Sequence, residues 1–568
     1  METAKGTRKE ALFKWLRRHG PVLVPYCLLT WFTGPLLMGD TVVYVDSILA
    51  HKRGGAADLI NPFWDFGHLL WRPLGWLFFS ALRPIFAAIA GTGDRSQVAE
   101  ALIVLSWIAG FVAVLLVRDL ASKLTKREWV ATLVTGVLVT SYGFINYVQT
   151  GTAYVPGLTL LLLSVWTLLR EPNQASARKT TIMIAALGLA GSVCLWLPYI
   201  VAVPAALAAP IFVHGLEKAR MRTAATTAIA AAALIALAYG LVILVLGLHD
   251  IAGIKEWMTA SSHGYRQTGI LRSLFGFARS FINMGNDGVL FKRYLLRDPY
   301  NHVSLLDLFR LSLWKFGFFY VFVMWMSIRL LLTQAGRRII GLLAVAAIPV
   351  FIFAMFVFEG GLPERYLAFL PFFLLALLYA LETKHVQKAF ACTVGVFIVV
   401  MIISDVEAMG NRVLERQQEG VMARIADLQP QLKPRSLIAT VHLQDELANF
   451  SFTFPFHPLN QRGHLRVYSV LEPGADRIST WREDFASNAL ASWSSGGDVW
   501  VSKRFFHSRP RPEWNWVEGD DKRISWADLQ PFFAQFQFGA AVGNDDGFVM
   551  LLRSAHNEDL LRRFAGTP

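Results

Sequence analysis

The chain alternates between long apolar runs and short polar segments. About eleven of the runs approach or reach the roughly 17 to 25 residues that a membrane-spanning helix needs. They cover residues 20–39, 99–117, 129–147, 154–169, 181–196, 199–213, 225–248, 311–332, 339–358, 367–381 and 389–404. This pattern predicts an α-helical polytopic membrane protein with about eleven transmembrane helices.

The composition supports the same class. Of the 568 residues, 54% are hydrophobic and only 17% are charged, and the mean hydropathy is +0.42. These values exclude an ordinary soluble enzyme. Residues 1–19 form a basic, amphipathic leader rather than a cleaved signal peptide, because the next apolar run is long enough to span and no small-residue cleavage site follows.

The positive charges indicate orientation rather than a nucleic-acid partner. The net charge is +13, but Lys and Arg cluster in short loops between apolar runs, as the positive-inside rule requires of cytoplasmic loops. The segment 68–90 carries Arg72 and Arg83; if it crossed the membrane, the basic segment 118–127 would lie outside. We therefore expect amphipathic helices along the interface there.

The general character of the sequence is bacterial. It predicts an integral inner (cytoplasmic) membrane protein with a cytoplasmic N-terminus and a periplasmic or extracellular C-terminal domain.

This topology gives a predicted domain organisation. Residues 1–19 form the cytoplasmic N-terminus, 20–404 form the transmembrane domain, and 405–568 form a small extracytoplasmic α/β domain. The transmembrane domain carries outer loops at 40–97 and 249–310. Within the C-terminal region, helices are predicted at 406–428 and 525–536, and strands at 436–441, 465–470, 498–502 and 548–552.

Two carboxylates follow the first apolar run. Asp40 and Asp46 lie at its outer end, where an acidic side chain stays ionised without the cost of about 2.5–3.5 kcal/mol that insertion into hydrocarbon carries. We predict both as catalytic candidates, with Asp40 the stronger. The structural alternative is a helix cap or a solvated loop residue.

Basic side chains on the predicted outer face are candidates for binding substrate and phosphate. His68 and Arg72 lie in an aromatic-rich stretch that is either an interfacial belt or a shelf for an amphiphile. The second outer loop and the turn before the tenth run contribute further candidates; their alternative is a solvated loop or contact with anionic lipid head groups. These candidates are His263, Arg266, Arg293, Arg365 and Tyr366.

Several motifs resemble the GT-C superfamily of membrane glycosyltransferases over roughly residues 10–400. Asp40 matches the acidic residue that the family places after the first span, and Pro363-Glu364-Arg365-Tyr366 matches a Pro-x-Arg-Tyr stretch. His68-Leu69-Leu70-Trp71-Arg72-Pro73-Leu74-Gly75 is a loose match to a His-Pro-Pro-Leu-like opening of interfacial helices. The group uses polyprenyl-phosphate-linked sugars and includes protein mannosyltransferases and aminoarabinose transferases.

The chain also departs from the family pattern. The turn 146–154 has no carboxylate where many members carry one, and Asp40 is followed by Thr41 rather than a second acidic residue. The sequence therefore assigns no metal ligands, and a divalent metal stays open.

The resemblance implies a glycosyltransferase that moves a hexosyl or pentosyl group from a polyprenyl-phosphate donor to a glycan, lipid or protein acceptor. A non-catalytic lipid- or glycan-binding scaffold is the alternative. A lipid-linked glycan transporter is disfavoured by the scarcity of carboxylates within the runs.

Overall fold

The structure, a computed structural model, describes residues 2–35, 39–52, 63–90, 94–125, 127–170, 175–260, 269–284, 287–357, 359–384, 387–413, 427–442, 446, 466–470, 480–520 and 524–566. The chain divides into two units. The first contains Met1–Asn283 and Lys315–Val413, and the second contains Met284–Trp314 and Leu414–Pro568. This division differs from the predicted boundaries because residues 284–314, assigned above to the transmembrane domain, belong with the C-terminal region.

Helices dominate the described residues. In chain order they are α1 (Glu2–Thr33), α2 (Gly39–Lys52), α3 (Trp71–Ala90), α4 (Asp94–Leu124), α5 (Glu128–Thr140), α6 (Tyr142–Tyr147), α7 (Tyr154–Leu169), α8 (Ala175–Leu195), α9 (Val203–His214), α10 (Lys218–Val245), α11 (Ile251–Ala260), α12 (Ile270–Arg279), α13 (Asp287–Leu296), α14 (Leu305–Leu308), α15 (Trp314–Leu331), α16 (Gln334–Phe356), α17 (Leu370–Glu382), α18 (Gln387–Val413), α19 (Trp481–Ser494), α20 (Trp526–Phe533) and α21 (Ala555–Phe564).

Eight helical stretches within the described residues are long and apolar enough to cross a membrane. They are Asp94–Leu124, Arg178–Leu195, Leu197–His214, Lys218–Val245, Leu305–Leu331, Gln334–Phe356, Pro363–Glu382 and Gln387–Glu407. The shorter helices α5 and α7 are also apolar, and α1 contains the first predicted run. The predicted class, an α-helical polytopic membrane protein with a small C-terminal sheet region, is confirmed.

Two helices end at breaks in the backbone, one inside a predicted span and one at the end of a predicted span. The run 129–147 is interrupted at Ser141, which has extended backbone angles. The backbone amides of Tyr142 and Gly143 then donate to the carbonyls of Phe281 and Ser280 instead of continuing α5. A second break is at Trp196, also extended, before the 3₁₀ segment Leu197–Ala202. The first break joins α6 to the backbone that follows α12, and the second leaves the ring of Trp196 in contact with that of Tyr154.

The segment before α4 is helical as predicted from its charges. A 3₁₀ turn at Phe66–His68 precedes α3. Leu82 departs from helical angles two residues before Pro84, since a proline inside a helix removes a backbone hydrogen bond and clashes with the preceding turn. Helix α3 packs against α4 and α2, and α4 in turn packs against α7.

The second unit contains a five-stranded sheet in the order β2-β1-β3-β5-β4. Its strands are β1 (Leu437–Thr440), β2 (Arg466–Ser469), β3 (Val499–Ser502), β4 (Phe538–Val542) and β5 (Phe548–Leu551). Strands β2, β1 and β3 are parallel to one another. Strand β5 runs antiparallel to both of its neighbours, β3 and β4. Its core includes Trp481, Trp514, Trp516, Trp526 and Phe533. The prediction missed β4, whose central residues Gly539, Ala540 and Ala541 are exposed and are not the β-branched or aromatic types that favour a strand.

Candidate functional site

Asp40 lies in the first turn of α2, where the helix dipole favours a negative charge. Its side chain is half-buried, and its Oδ2 accepts a 2.5 Å hydrogen bond from the hydroxyl of Tyr154. The next residue, Thr41, donates its hydroxyl hydrogen bond to the carbonyl of Thr150. Two neighbouring residues therefore hold the start of α2 against the start of α7.

The turn that leads into α7 is shaped by Gly151. Its φ of +66° is a conformation that side-chain-bearing residues rarely adopt, and an added Cβ would lie 3.1 Å from Thr41 Cγ2. The Gly151 carbonyl accepts a 3.2 Å hydrogen bond from Trp71 Nε1. This turn thus anchors both α2 and the aromatic stretch around His68, and it places Tyr154 at the first position of α7.

A buried carboxylate organises the two basic candidates of the first outer loop. Asp65 Oδ2 lies 2.9 Å from His68 Nδ1 and 3.4 Å from an Arg72 guanidinium nitrogen. The other Asp65 oxygen accepts a hydrogen bond from the Gly67 backbone amide and caps the 3₁₀ turn. All three side chains are buried. Charge-assisted contacts of this kind fix the orientation of the imidazole and of the guanidinium.

The hydroxyl oxygen of Tyr44 and Nε2 of His68 are buried and have no hydrogen-bond partner among the described residues. The two rings are 5.4 Å apart, and the Arg72 guanidinium lies 5.2 Å from the centre of the Tyr44 ring. An unsatisfied buried polar atom costs about 1–3 kcal/mol, so such atoms in a native structure are often ligand contacts.

Charged residues from both ends of the site affect the pKa of Tyr44. Burial raises the pKa of Tyr44 well above its ordinary value, and the negative charge of Asp40 raises it further. Arg72 and Arg365 oppose this effect. The phenol is therefore protonated at neutral pH and available as a hydrogen-bond donor.

Arg365 reaches the same region from the 3₁₀ segment Pro363–Phe369. Its guanidinium lies 3.5 Å from Glu364 Oε1 and 5.7 Å from the centre of the Trp196 ring. Glu364 also accepts a hydrogen bond from Tyr147. Both Glu364 and Arg365 are buried, so a pair of opposite charges is held inside the first unit.

Tyr154 connects the carboxylate end and the arginine end. Its ring lies 4.8 Å from that of Trp196, 5.0 Å from that of Tyr147 and 6.3 Å from that of His68. We call this set the Asp40 cluster; its members are Asp40, Tyr44, Asp65, His68, Arg72, Tyr147, Tyr154, Trp196, Glu364 and Arg365. The structure thus brings together four residues predicted from the sequence: Asp40, His68, Arg72 and Arg365.

The other predicted residues are placed differently. Asp46, six positions along α2 from Asp40, is rotated by about 240° around the helix, and its carboxylate forms an ion pair with Arg95. The hydroxyl of Tyr366 lies 2.6 and 2.8 Å from the carbonyl oxygens of Ser273 and Gly360. The Tyr366 hydroxyl is therefore hydrogen-bonded to the backbone.

Arg293 belongs to the second unit, where its guanidinium donates to the carbonyls of Pro512 and Trp514 at 2.9 and 2.6 Å. The side chain is buried, and Asp298 lies 3.8 Å from Nε. These contacts give Arg293 a structural role in that unit. His263 and Arg266 lie outside the described residues.

Six members of the cluster were absent from the predicted site: Tyr44, Asp65, Tyr147, Tyr154, Trp196 and Glu364. Each had a sequence signal: Tyr44 and Asp65 lie in the first outer loop, and Tyr147 ends the run 129–147. Tyr154 and Trp196 lie where apolar runs begin and end, and Glu364 lies inside the Pro-Glu-Arg-Tyr stretch. The sequence did not reveal that these residues lie close together in space, because they come from segments far apart in the chain.

Within the described ranges, no group of three or more His, Cys, Asp or Glu side chains is arranged to hold a metal ion. We therefore assign no metal ligands and describe the site through its charged and aromatic side chains.

Comparison with solved structures identifies the fold. The chain matches the crystal structure of ArnT from Cupriavidus metallidurans in the apo state with a TM-score of 0.53 and 11% identity, over 96% of this chain and 99% of that one. ArnT is an aminoarabinose transferase with the GT-C fold. The predicted resemblance is therefore confirmed as a shared fold: this chain has the GT-C architecture.

Two further matches have lower scores. ArnT bound to undecaprenyl phosphate gives a TM-score of 0.48 at 12% identity, over 96% of this chain and 99% of that one. The apo oligosaccharyltransferase of Archaeoglobus fulgidus gives 0.47 at 10% identity, over 96% and 75%. No protein-family model matches the sequence, and no curated protein is significantly similar to it. The fold assignment is based on the apo ArnT structure.

Proposed function

We propose that this protein is a membrane glycosyltransferase that transfers a sugar from a polyprenyl-phosphate donor to an acceptor at the outer face of the membrane. The observation that carries the proposal is the Asp40 cluster. It places a half-buried carboxylate in one contact network with Arg72 and Arg365. Such a site offers a base to an acceptor hydroxyl and cations to a phosphate leaving group. The shared fold with ArnT supports the reaction class.

Asp40 is the general base in this proposal. Tyr154 holds Oδ2, and Oδ1 accepts the proton of the acceptor hydroxyl. The acceptor oxygen then forms a bond to the anomeric carbon of the sugar. The bond between that carbon and the phosphate oxygen breaks, and the electron pair leaves with the polyprenyl phosphate. This role requires a carboxylate within hydrogen-bond reach of the acceptor.

The leaving group carries the charge that must be stabilised. Arg365 and Arg72 are preorganised cations, because Glu364 and Asp65 hold their guanidinium groups in place. Fixed cations of this kind stabilise a phosphate without reorganising during the reaction. The Tyr44 hydroxyl donates a hydrogen bond to the phosphate, and His68 Nε2 forms a hydrogen bond with the bound donor, which gives both of these buried atoms a partner.

Asp46 has a supporting role in this scheme. Its ion pair with Arg95 joins α2 to α4, which fixes the helix that carries Asp40. His263 and Arg266 remain candidates for contact with the donor, on the basis of their position in the second outer loop.

The decisive experiment compares the wild type with Asp40→Asn after purification and reconstitution in liposomes. The substrates are lipid-linked sugars extracted from the host, and the readouts are sugar transfer and release of undecaprenyl phosphate. We expect Asp40→Asn to lose at least about 100-fold in turnover, since general base catalysis contributes roughly 10²–10⁴-fold. Binding of undecaprenyl phosphate should be retained.

Asp94→Asn is the matched control, because Asp94 forms an exposed ion pair with Arg83 and lies outside the cluster. It should transfer sugar at the wild-type rate. Full activity of Asp40→Asn would refute the assigned base. Binding of the lipid without turnover in the wild type, on any extracted donor, would instead favour a non-catalytic scaffold.

A further inference from the structure

A second polar feature of the first unit lies apart from the residues of the Asp40 cluster. A cavity of about 160 Å³ is found where α8 begins, α9 ends and α10 begins. That is about ten times the space that one water molecule needs. Its polar lining residues are Arg178, Thr181, His214, Glu217, Arg220 and Thr223. We call it the Arg178–Arg220 cavity.

One wall of the cavity is fixed by Arg220. Its guanidinium donates to the carbonyls of His214 and Gly215 at 2.9 and 3.0 Å and lies 3.3 Å from Glu217 Oε1. The His214 ring is fixed as well, with Nε2 3.1 Å from the carbonyl of Leu169. These contacts hold the junction between α9 and α10 in one geometry.

The cavity is also lined by the exposed Arg178, near the start of α8. Among the described residues, Glu217 is the one carboxylate that lines the cavity, and its charge is offset by Arg220. The second guanidinium therefore leaves the lining with net positive charge. Two helices, α8 and α10, also begin here, and the amide groups of helix N-termini favour an anion.

The surface next to the cavity is apolar. Met183, Ile184 and Leu187 on α8 are exposed, as are Met221 and Ile229 on α10. In a chain that spans a membrane these side chains contact lipid tails. A ligand that fits both features has an anionic phosphate head and long hydrocarbon chains.

We propose that the Arg178–Arg220 cavity binds the phosphate group of an anionic phospholipid. Arg178 and the Thr181 hydroxyl contact the phosphate oxygens, while Arg220 shapes the site without leaving its backbone partners. The acyl chains lie along α8 and α10. This lipid is separate from the donor lipid of the proposed reaction, so the inference does not depend on that reaction.

Native mass spectrometry of the delipidated, detergent-purified full chain tests this proposal. The probes are phosphatidylglycerol, phosphatidylcholine and inorganic phosphate, each titrated separately, and then phosphatidylglycerol with phosphate as competitor. We expect the wild type to bind one phosphatidylglycerol more tightly than phosphatidylcholine. Arg178→Gln should weaken that binding about fivefold, since one basic residue near an anionic lipid contributes roughly 1 kcal/mol.

Lys179→Gln is the matched control, because it removes the same charge at the next, exposed position of α8 but does not line the cavity. It should bind like the wild type. A second variant, Ala224→Leu, fills part of the lining without changing charge and should also weaken binding.

The remaining outcomes overturn the proposal. Equal losses for Arg178→Gln and Lys179→Gln would show a diffuse charge effect rather than a site. Unchanged binding in both cavity variants would place the lipid elsewhere. Displacement of phosphatidylglycerol by millimolar phosphate, with phosphate alone binding as tightly, would make the ligand a soluble anion rather than a lipid.

Discussion

The hydroxyl of Tyr154 donates a hydrogen bond to the carboxylate of Asp40, although 114 residues separate them in the chain. Helix α7 thus positions a carboxylate at the start of α2. The contact between Thr41 and Thr150 reinforces this arrangement. The direction of the carboxylate therefore depends on how two distant helices dock.

Removing the Tyr154 hydroxyl should impair turnover more than folding. In Tyr154→Phe, Asp40 loses a hydrogen bond to a charged group, a contact that contributes about 1.5–3 kcal/mol. If the bond orients the carboxylate in the transition state, we expect kcat to fall by about 10- to 100-fold with little change in KM. Steady-state kinetics in liposomes provide the measurement.

Tyr320→Phe is the control for that variant. It removes the same atom from a tyrosine of the first unit whose hydroxyl donates to the Leu274 carbonyl at 2.7 Å. Its kcat should match the wild type. Equal kinetic losses in both variants would show that the effect is general to the fold, and the positioning role of Tyr154 would be wrong.

Asp65 is expected to act through His68 and Arg72. Asp65→Asn preserves the turn cap, because Asn caps as well as Asp, but it removes the negative charge beside both basic side chains. We predict weaker binding of undecaprenyl phosphate, by about tenfold, a loss of about 1.4 kcal/mol. Lipid titration monitored by native mass spectrometry measures the change.

Asp250→Asn is a suitable comparison for this second variant. Asp250 also caps a turn, with Oδ1 accepting a 2.7 Å bond from the Gly253 amide, but it is exposed and is not part of the Asp40 cluster. Its lipid affinity should stay at the wild-type value. Wild-type affinity in Asp65→Asn would mean that Asp65 does not orient the cations for a phosphate.

Much of the candidate site was predictable because charged side chains are scarce within apolar segments. Asp40 follows the first run, Arg365 precedes the tenth, and His68 and Arg72 lie at the start of the apolar segment 68–90. A charge at such a position is expensive unless it faces water, a partner or a ligand. Placement along the chain alone therefore selected four residues that the structure brings into one cluster.

The remainder depended on contacts between distant segments. Hydrophobic periodicity assigns Tyr154 to the start of a helix but does not reveal its partner on α2. In the same way, the position of Arg293 in an outer loop suggested an anion site. Its guanidinium instead donates hydrogen bonds to backbone carbonyls of the second unit. The break at Ser141 was hidden because no proline and no charged residue marks it within the mostly apolar run 129–147.

Gly276 of α12 should not tolerate a larger side chain. A Cβ at this position would lie 2.0 Å from the carbonyl oxygen of Gly360, so the backbone must move. We expect Gly276→Ala to destabilise the first unit by about 1–3 kcal/mol, the usual cost of overpacking. A thermal unfolding scan in detergent should show a lower midpoint.

Gly240→Ala provides the contrast, because nothing lies within 4 Å of a Cβ added there. Alanine in a helix interior is more favourable than glycine by about 0.5–1 kcal/mol, so this variant should be neutral or slightly stabilised. A normal midpoint for Gly276→Ala would contradict the close approach of α12 to the segment that carries Gly360.

The neighbouring residues Arg293 and Lys292 should differ sharply in their effect on the second unit. Arg293 is buried against backbone carbonyls and Asp298, so Arg293→Gln leaves a buried carboxylate without its cation and should cost about 3–5 kcal/mol. Lys292 forms an exposed ion pair with Asp520; Lys292→Gln should change stability by less than about 1 kcal/mol.

Amide hydrogen exchange in β3 and β5 measures both effects. If Arg293→Gln kept full protection but lost undecaprenyl phosphate binding, Arg293 would be a phosphate ligand, as its sequence position first suggested.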